Sequence, residues 1–121
     1  MRQSKEGLPI TMDVPGVKVS SEKWGGMVVA FSQFAKGTDF TPVLKGLKDD
    51  MCQCPHWGYL LKGALRVRYT DGREEVLTPG DLYYLPDGHT GWAEEDTELV
   101  EFSPQAEMDT TLSHIKAQVG S

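Results

Sequence analysis

"PGDLYYLPDGH", residues 79–89, is the stretch whose reading decides the fold. Pro79 presets φ for the first central position of a turn, and Gly80 accepts the left-handed second one, so the chain reverses here. "DLYYL" is aromatic-rich and too short for a stable helix. Pro86–Asp87–Gly88 then ends it with another turn. A strand this short, hemmed in by turns, points to a sheet made of many short strands.

The same pattern continues outward. Upstream, "LRVRY" alternates strictly, with Leu65, Val67 and Tyr69 on one face and Arg66 and Arg68 on the other, which is a half-buried strand. "TDGREEV" carries Asp71–Gly72 and predicts a type I′ hairpin, with φ > 0 at both central residues. "HWGYLL" is a strand that turns near Gly63, and "MVVAFSQFAKG" from Met27 is another that ends at Gly37. "DFTPVLKGLKDD" between them reads as a polar connection. Residues 1–16 read as an irregular lead-in broken by Pro9, Pro15 and Gly16. Downstream, "PDGHTGW" is a turn-rich loop and "TELVEFS" a strand ending at Ser103–Pro104. The tail changes period: Met108, Leu112, Ile115 and Val119 recur at helical spacing. Ser103 is the expected N-cap and Pro104 the first helical residue, with the helix on the outside of the β structure. Seven or more strands with frequent turns give an all-β barrel or sandwich with one C-terminal helix.

Length and charge narrow the function. The 121 residues suit one domain, 1–121, with no repeat or internal boundary. The net charge of -6 repels polyanions, so neither nucleic acid nor an anionic membrane is an expected partner. No apolar run approaches the length of a membrane helix, and "MRQSKEGLPITM" lacks the apolar core of a secretion signal. The expected compartment is the cytoplasm, where thiols stay reduced. No nucleophile elbow, P-loop or dinucleotide fingerprint occurs.

"CQCPHWGYLLKG", residues 52–63, holds both cysteines of the chain. If 52–56 is extended, Cys52, Cys54 and His56 point one way and Gln53 and Pro55 the other. Two thiols and an imidazole on one face suit a tetrahedral metal site, and His89 is the candidate fourth donor. A Cys52–Cys54 disulfide is awkward, because extended chain sets the two Cα atoms roughly 6.6 Å apart. Thiolate donors favour zinc, with iron, nickel or copper as other divalent candidates. Buried cysteine also packs simply as a small apolar residue, and that reading stays open. Asp50, Tyr84 and Trp92 are candidate pocket residues. A solvated loop for Asp50, and a core or dimer interface for the aromatics, are the competing roles.

Residues 79–89 also resemble the second motif of the cupin superfamily, Gly-x5-Pro-x-Gly and then histidine, through Gly80, Pro86 and Gly88. The first cupin motif is His-x-His, three or four residues, glutamate, six residues, glycine. Its last glycine matches Gly63, which puts His56 at the glutamate position, Cys52 at the second histidine and Asp50 at the first. Cys54 is additional, His89 comes two residues early, Gly91 holds the usual histidine position and Glu95 the usual asparagine. The three-histidine, one-glutamate set is therefore absent. The resemblance spans about 27–103 and leaves about 104–119 to the helix. It implies a double-stranded β-helix (jelly-roll) barrel, frequent dimers and a pocket in the barrel mouth, and it carries over no single reaction.

Three functions follow as expectations. One is a metal-dependent enzyme such as an oxygenase, isomerase or lyase acting on a small organic acid, ketone or sugar derivative. The second is a non-catalytic ligand- or metal-binding sensor, and the third a barrel with a purely structural metal. A homodimer is expected, with "VPGVKVSSEKWGG" adding a strand to a neighbouring copy.

Overall fold

The computed structural model describes residues 1–119. Among them the order is β1 (Ile10–Val14), β2 (Val17–Trp24), β3 (Met27–Phe34), α1 (Thr41–Leu44), β4 (His56–Lys62), β5 (Leu65–Tyr69), β6 (Glu74–Leu77), β7 (Leu82–Leu85), β8 (His89–Ala93), β9 (Thr97–Pro104) and α2 (Gln105–Gln118). Six strands form one sheet, ordered β1-β2-β3-β9-β4-β7, and three form another, β6-β5-β8, with every strand pair antiparallel. The alternation read in "LRVRY" is observed: Leu65, Val67 and Tyr69 are buried, and Arg66 and Arg68 pair outside with Glu94 and Glu74. With Leu60, Leu77, Tyr83, Leu85 and Leu99 those three residues make the core between the sheets. No helix among the described residues is long and apolar enough to cross a membrane.

Several expectations are corrected. Pro15–Gly16 is a two-residue turn joining β1 to β2, with Val14 opposite Val17 and Gly16 at φ 83, so the sheet begins at Ile10 rather than Met27. "VPGVKVSSEKWGG" accordingly pairs within its own chain, and Gly25–Gly26, both at positive φ, turn β2 into β3. The 71–72 hairpin exists, but only Gly72 is left-handed, so the turn is not type I′. "HTGWA" is strand β8 rather than loop, pairing with β5. The "polar connection" buries Leu44 against Cys52 and Cys54.

The helix departs most. It begins at Gln105, and Ser103 stays in β9 instead of capping it. Its apolar face turns toward the barrel. Met108, Leu112 and Ile115 line the interior cavity beside Cys52, while Val119 is exposed. The outer face of the larger sheet instead carries Trp57, Tyr59, Leu61, Leu82, Tyr84 and Phe102, all substantially exposed. The Trp57 and Tyr84 rings stack there with centroids 5.2 Å apart.

Candidate metal centre and cavity

The site forms where the chain enters β4. Cys52 lies before the strand and bridges His89 at the start of β8, through Cys52 N–H to His89 carbonyl at 2.8 Å and Gly88 N–H to Cys52 carbonyl at 2.8 Å. His56 opens β4 and points inward. One donor atom from each of Cys52, His56 and His89 lies within 4.8 Å of the others, and all three residues are buried. Cys52 Sγ and His56 Nε2 are 3.6 Å apart. A tetrahedral ion with bonds of about 2.3 Å to sulfur and about 2.05 Å to nitrogen separates those donors by about 3.6 Å.

Both rings have a partner at the other nitrogen. His89 Nδ1 donates to the Pro86 carbonyl at 2.7 Å, which leaves Nε2 with its lone pair. His56 Nδ1 meets Ser103 Oγ at 2.7 Å, and donation to that oxygen leaves Nε2 facing Cys52. Burial lowers both histidines to about 4, with His56 further disfavouring charge on His89. They are therefore neutral at ordinary pH, the form that ligates. Burial also pushes the Cys52 thiol up to about 11. That argues against an activated Cys–His nucleophile, which needs a depressed thiol pKa, and means that a metal would displace one proton from sulfur.

Cys54 is not brought into this group. The strand begins at His56, so 52–56 is not a single extended run, and Cys54 Sγ contacts the Pro55 carbonyl at 3.4 Å inside the Leu44 cluster. Burial, then neighbouring Cys52, raises its thiol to about 12. Asp50 is exposed and accepts the Gly46 N–H, as a turn residue does. Tyr84 stacks on the outer sheet face, and Trp92 lies under the Arg68 guanidinium. None of these three lines the cavity.

The cavity measures about 130 Å³ and runs from the Cys52–His56–His89 end into the barrel between mainly apolar walls. Glu101 also faces it, a residue not picked out in the sequence. The signal was available in the parity of β9: Leu99 is buried, so Glu101 two residues on shares its inward face. Glu101 accepts the Tyr83 hydroxyl at 2.8 Å and lies 3.9 Å from His56 Nδ1. Burial raises its pKa, opposed by the Tyr83 hydrogen bond. Gly58 makes the arrangement possible: a Cβ there would lie 2.6 Å from the Val100 carbonyl oxygen and closer still to the Tyr83 ring and hydroxyl.

No family model matches the chain, and no curated protein does. Solved structures do. Ectoine synthase from P. lautus superposes at TM-score 0.67 and 14% identity, over 91% of this chain and 84% of that one. An RmlC-like cupin from Shewanella frigidimarina gives 0.62 and 20%, over 84% and 88%. HppE in its Fe(II) form gives 0.60 and 12%, over 84% of this chain and 58% of that one. At such identities the likeness is one of fold, and the fold is the cupin fold.

Proposed function

We propose that this chain is a metal-binding cupin that binds and acts on a small organic molecule in its barrel. Cys52, His56 and His89 would hold a divalent transition metal, zinc before iron, nickel or copper. The observation that carries the reading is the meeting of three buried donors within 4.8 Å, Cys52 and His56 at tetrahedral spacing, with the second nitrogen of each histidine already engaged. HppE, which shares the fold, holds Fe(II). With Cys54 outside the group, three protein ligands leave a position for water or substrate, the pattern of catalytic rather than structural sites.

A metal there would supply Lewis acidity toward a carbonyl or hydroxyl oxygen. The chain does the rest. Glu101, fixed by Tyr83, is placed to hold a proton inside the cavity. Met108, Leu112 and Ile115 of α2 keep bulk water from the donor end. Elemental mass spectrometry on protein purified without an affinity tag tests the site. Near-stoichiometric metal is expected in the wild type, lost in Cys52→Ser and His56→Ala. Metal-free wild type after reconstitution under reducing conditions would overturn it. Glu101→Gln then separates enzyme from binding module, since only an enzyme loses turnover while keeping metal.

A further inference from the structure

We infer that the cavity takes a slender, uncharged molecule of about eight non-hydrogen atoms. One polar end faces the Cys52–His56–His89 group, and a second hydrogen-bonding group reaches Ser32. This rests on reading that group as the binding end of the cavity, and three observations carry it.

The first is size. A volume of about 130 Å³ is close to the engineered apolar cavity of about 150 Å³ that accommodates benzene, which excludes nucleotide-sugars and other large substrates. The second is charge. Among the described residues no lysine or arginine lines the cavity, and the one carboxyl group that does is Glu101. A carboxylate or phosphate would lose its hydration with no cationic side chain to replace it. A divalent ion would keep one positive charge after the Cys52 thiolate, so the preference for an uncharged ligand is a property of the metal-free cavity.

The third observation is Ser32, on β3. It is 4% exposed and lines the cavity, and its hydroxyl, which bonds no other described side chain, is open to the cavity rather than sealed in the wall. The other cavity hydroxyls are engaged: Ser21 with Thr11, Thr90 with Thr41, Ser103 with His56, and Thr111 with the Cys52 thiol. A hydroxyl open to the cavity and not committed to a neighbour is free to bond a ligand there. Pairing register gives its distance from the donors. Ser103 lies opposite Val28 and Leu99 opposite Ser32. Four residues therefore separate the level of Ser103, bonded to His56, from that of Ser32, about 13 Å by strand rise. After the side chains close part of that gap, a chain of about six to eight bonds spans it.

Methyl NMR titration, with Met108 and Ile115 as reporters, tests the inference on metal-free and zinc-loaded protein. The probes are hexanamide, its isostere hexanoate, 6-hydroxyhexanamide and the bulky adamantane-1-carboxamide. Hexanamide is expected to bind at least tenfold more tightly than hexanoate in the metal-free form, and the adamantane amide to leave the methyls unmoved in both forms. The terminal hydroxyl should tighten binding at least threefold in the wild type and not in Ser32→Ala. Hexanoate matching hexanamide in the metal-free form, entry of the adamantane amide, or a hydroxyl preference that survives Ser32→Ala would each overturn the proposal. Metal retention is read separately. Zinc failing to bind defeats the metal reading while the metal-free titration still decides the ligand class.

Discussion

Replacing Gly58 with alanine tests whether the inner geometry is as tight as described. The new methyl would meet the Val100 carbonyl oxygen at 2.6 Å and the Tyr83 ring closer still. Val100 belongs to the β4–β9 ladder, so its carbonyl moves only by stretching that pairing. The phenol must therefore yield by about 1 Å to restore ordinary contact distances. That lengthens its 2.8 Å bond to Glu101 beyond hydrogen-bonding range. Overpacking costs about 1–3 kcal/mol. Losing a hydrogen bond to a buried carboxyl costs about 1.5–3 kcal/mol. Relief of glycine's conformational entropy returns about 0.5–1 kcal/mol. The net expectation is a loss of about 3–4 kcal/mol, a large part of the stability of a domain this size. Urea unfolding of wild type and Gly58→Ala, with m held constant, measures it. In a Tyr83→Leu background the same substitution should cost about half as much, because only the carbonyl obstructs it. A loss below about 1 kcal/mol, or an equal loss in both backgrounds, would refute the account.

Three further outcomes are expected. The folded histidines titrate near 4 and unfolded ones near 6.5, so the unfolded state gains protons first as pH falls. Stability is then full above about pH 6.5 and falls toward pH 4 by about 1.4 kcal/mol per pH unit per histidine, and His89→Gln should lose one such slope in urea titrations at pH 4.5–7. Cys54→Ser should keep wild-type metal content and lose about 1–3 kcal/mol, because it puts a hydroxyl into the Leu44 cluster. The outer face of Trp57, Tyr59, Leu61, Leu82, Tyr84 and Phe102 exposes about 600 Å² of side chain, taking the usual areas of aromatic residues. That approaches the roughly 800 Å² per partner of a stable complex, which favours a second copy of this chain. Sedimentation should show a dimer in the wild type and a monomer in Tyr59→Glu/Leu82→Glu, and a monomeric wild type would end the idea.

What could be read in the sequence was what backbone chemistry dictates locally. Gly63 sits at φ 91 against the Asp96 carbonyl and Thr97, and Gly80 and Gly88 are likewise left-handed, so a glycine framework spaced for a barrel was visible. Face parity worked inside strands, as in β5. It did not hold across Cys52–His56, because the chain becomes a strand only at His56 and Cys54 turns away. Glu101 escaped because apolar and polar residues do not alternate cleanly in "TELVEFS", and only the burial of Leu99 fixes the parity of β9. Pro15–Gly16 was legible as a turn but not as a hairpin, since pairing depends on a partner distant in sequence. The periodicity of α2 announced a buried face without naming what would bury it.

The Cys52–His89 bridge has a thermodynamic consequence. Two main-chain hydrogen bonds already hold these residues together, so the loop between them is closed before any ion arrives. In small zinc modules, binding must also order the chain, and chelation unfolds them. Here that entropy is met by the sheet ladder instead. The measured affinity would therefore report ligand chemistry alone, and a chelator would leave a folded, empty barrel able to exchange one metal for another.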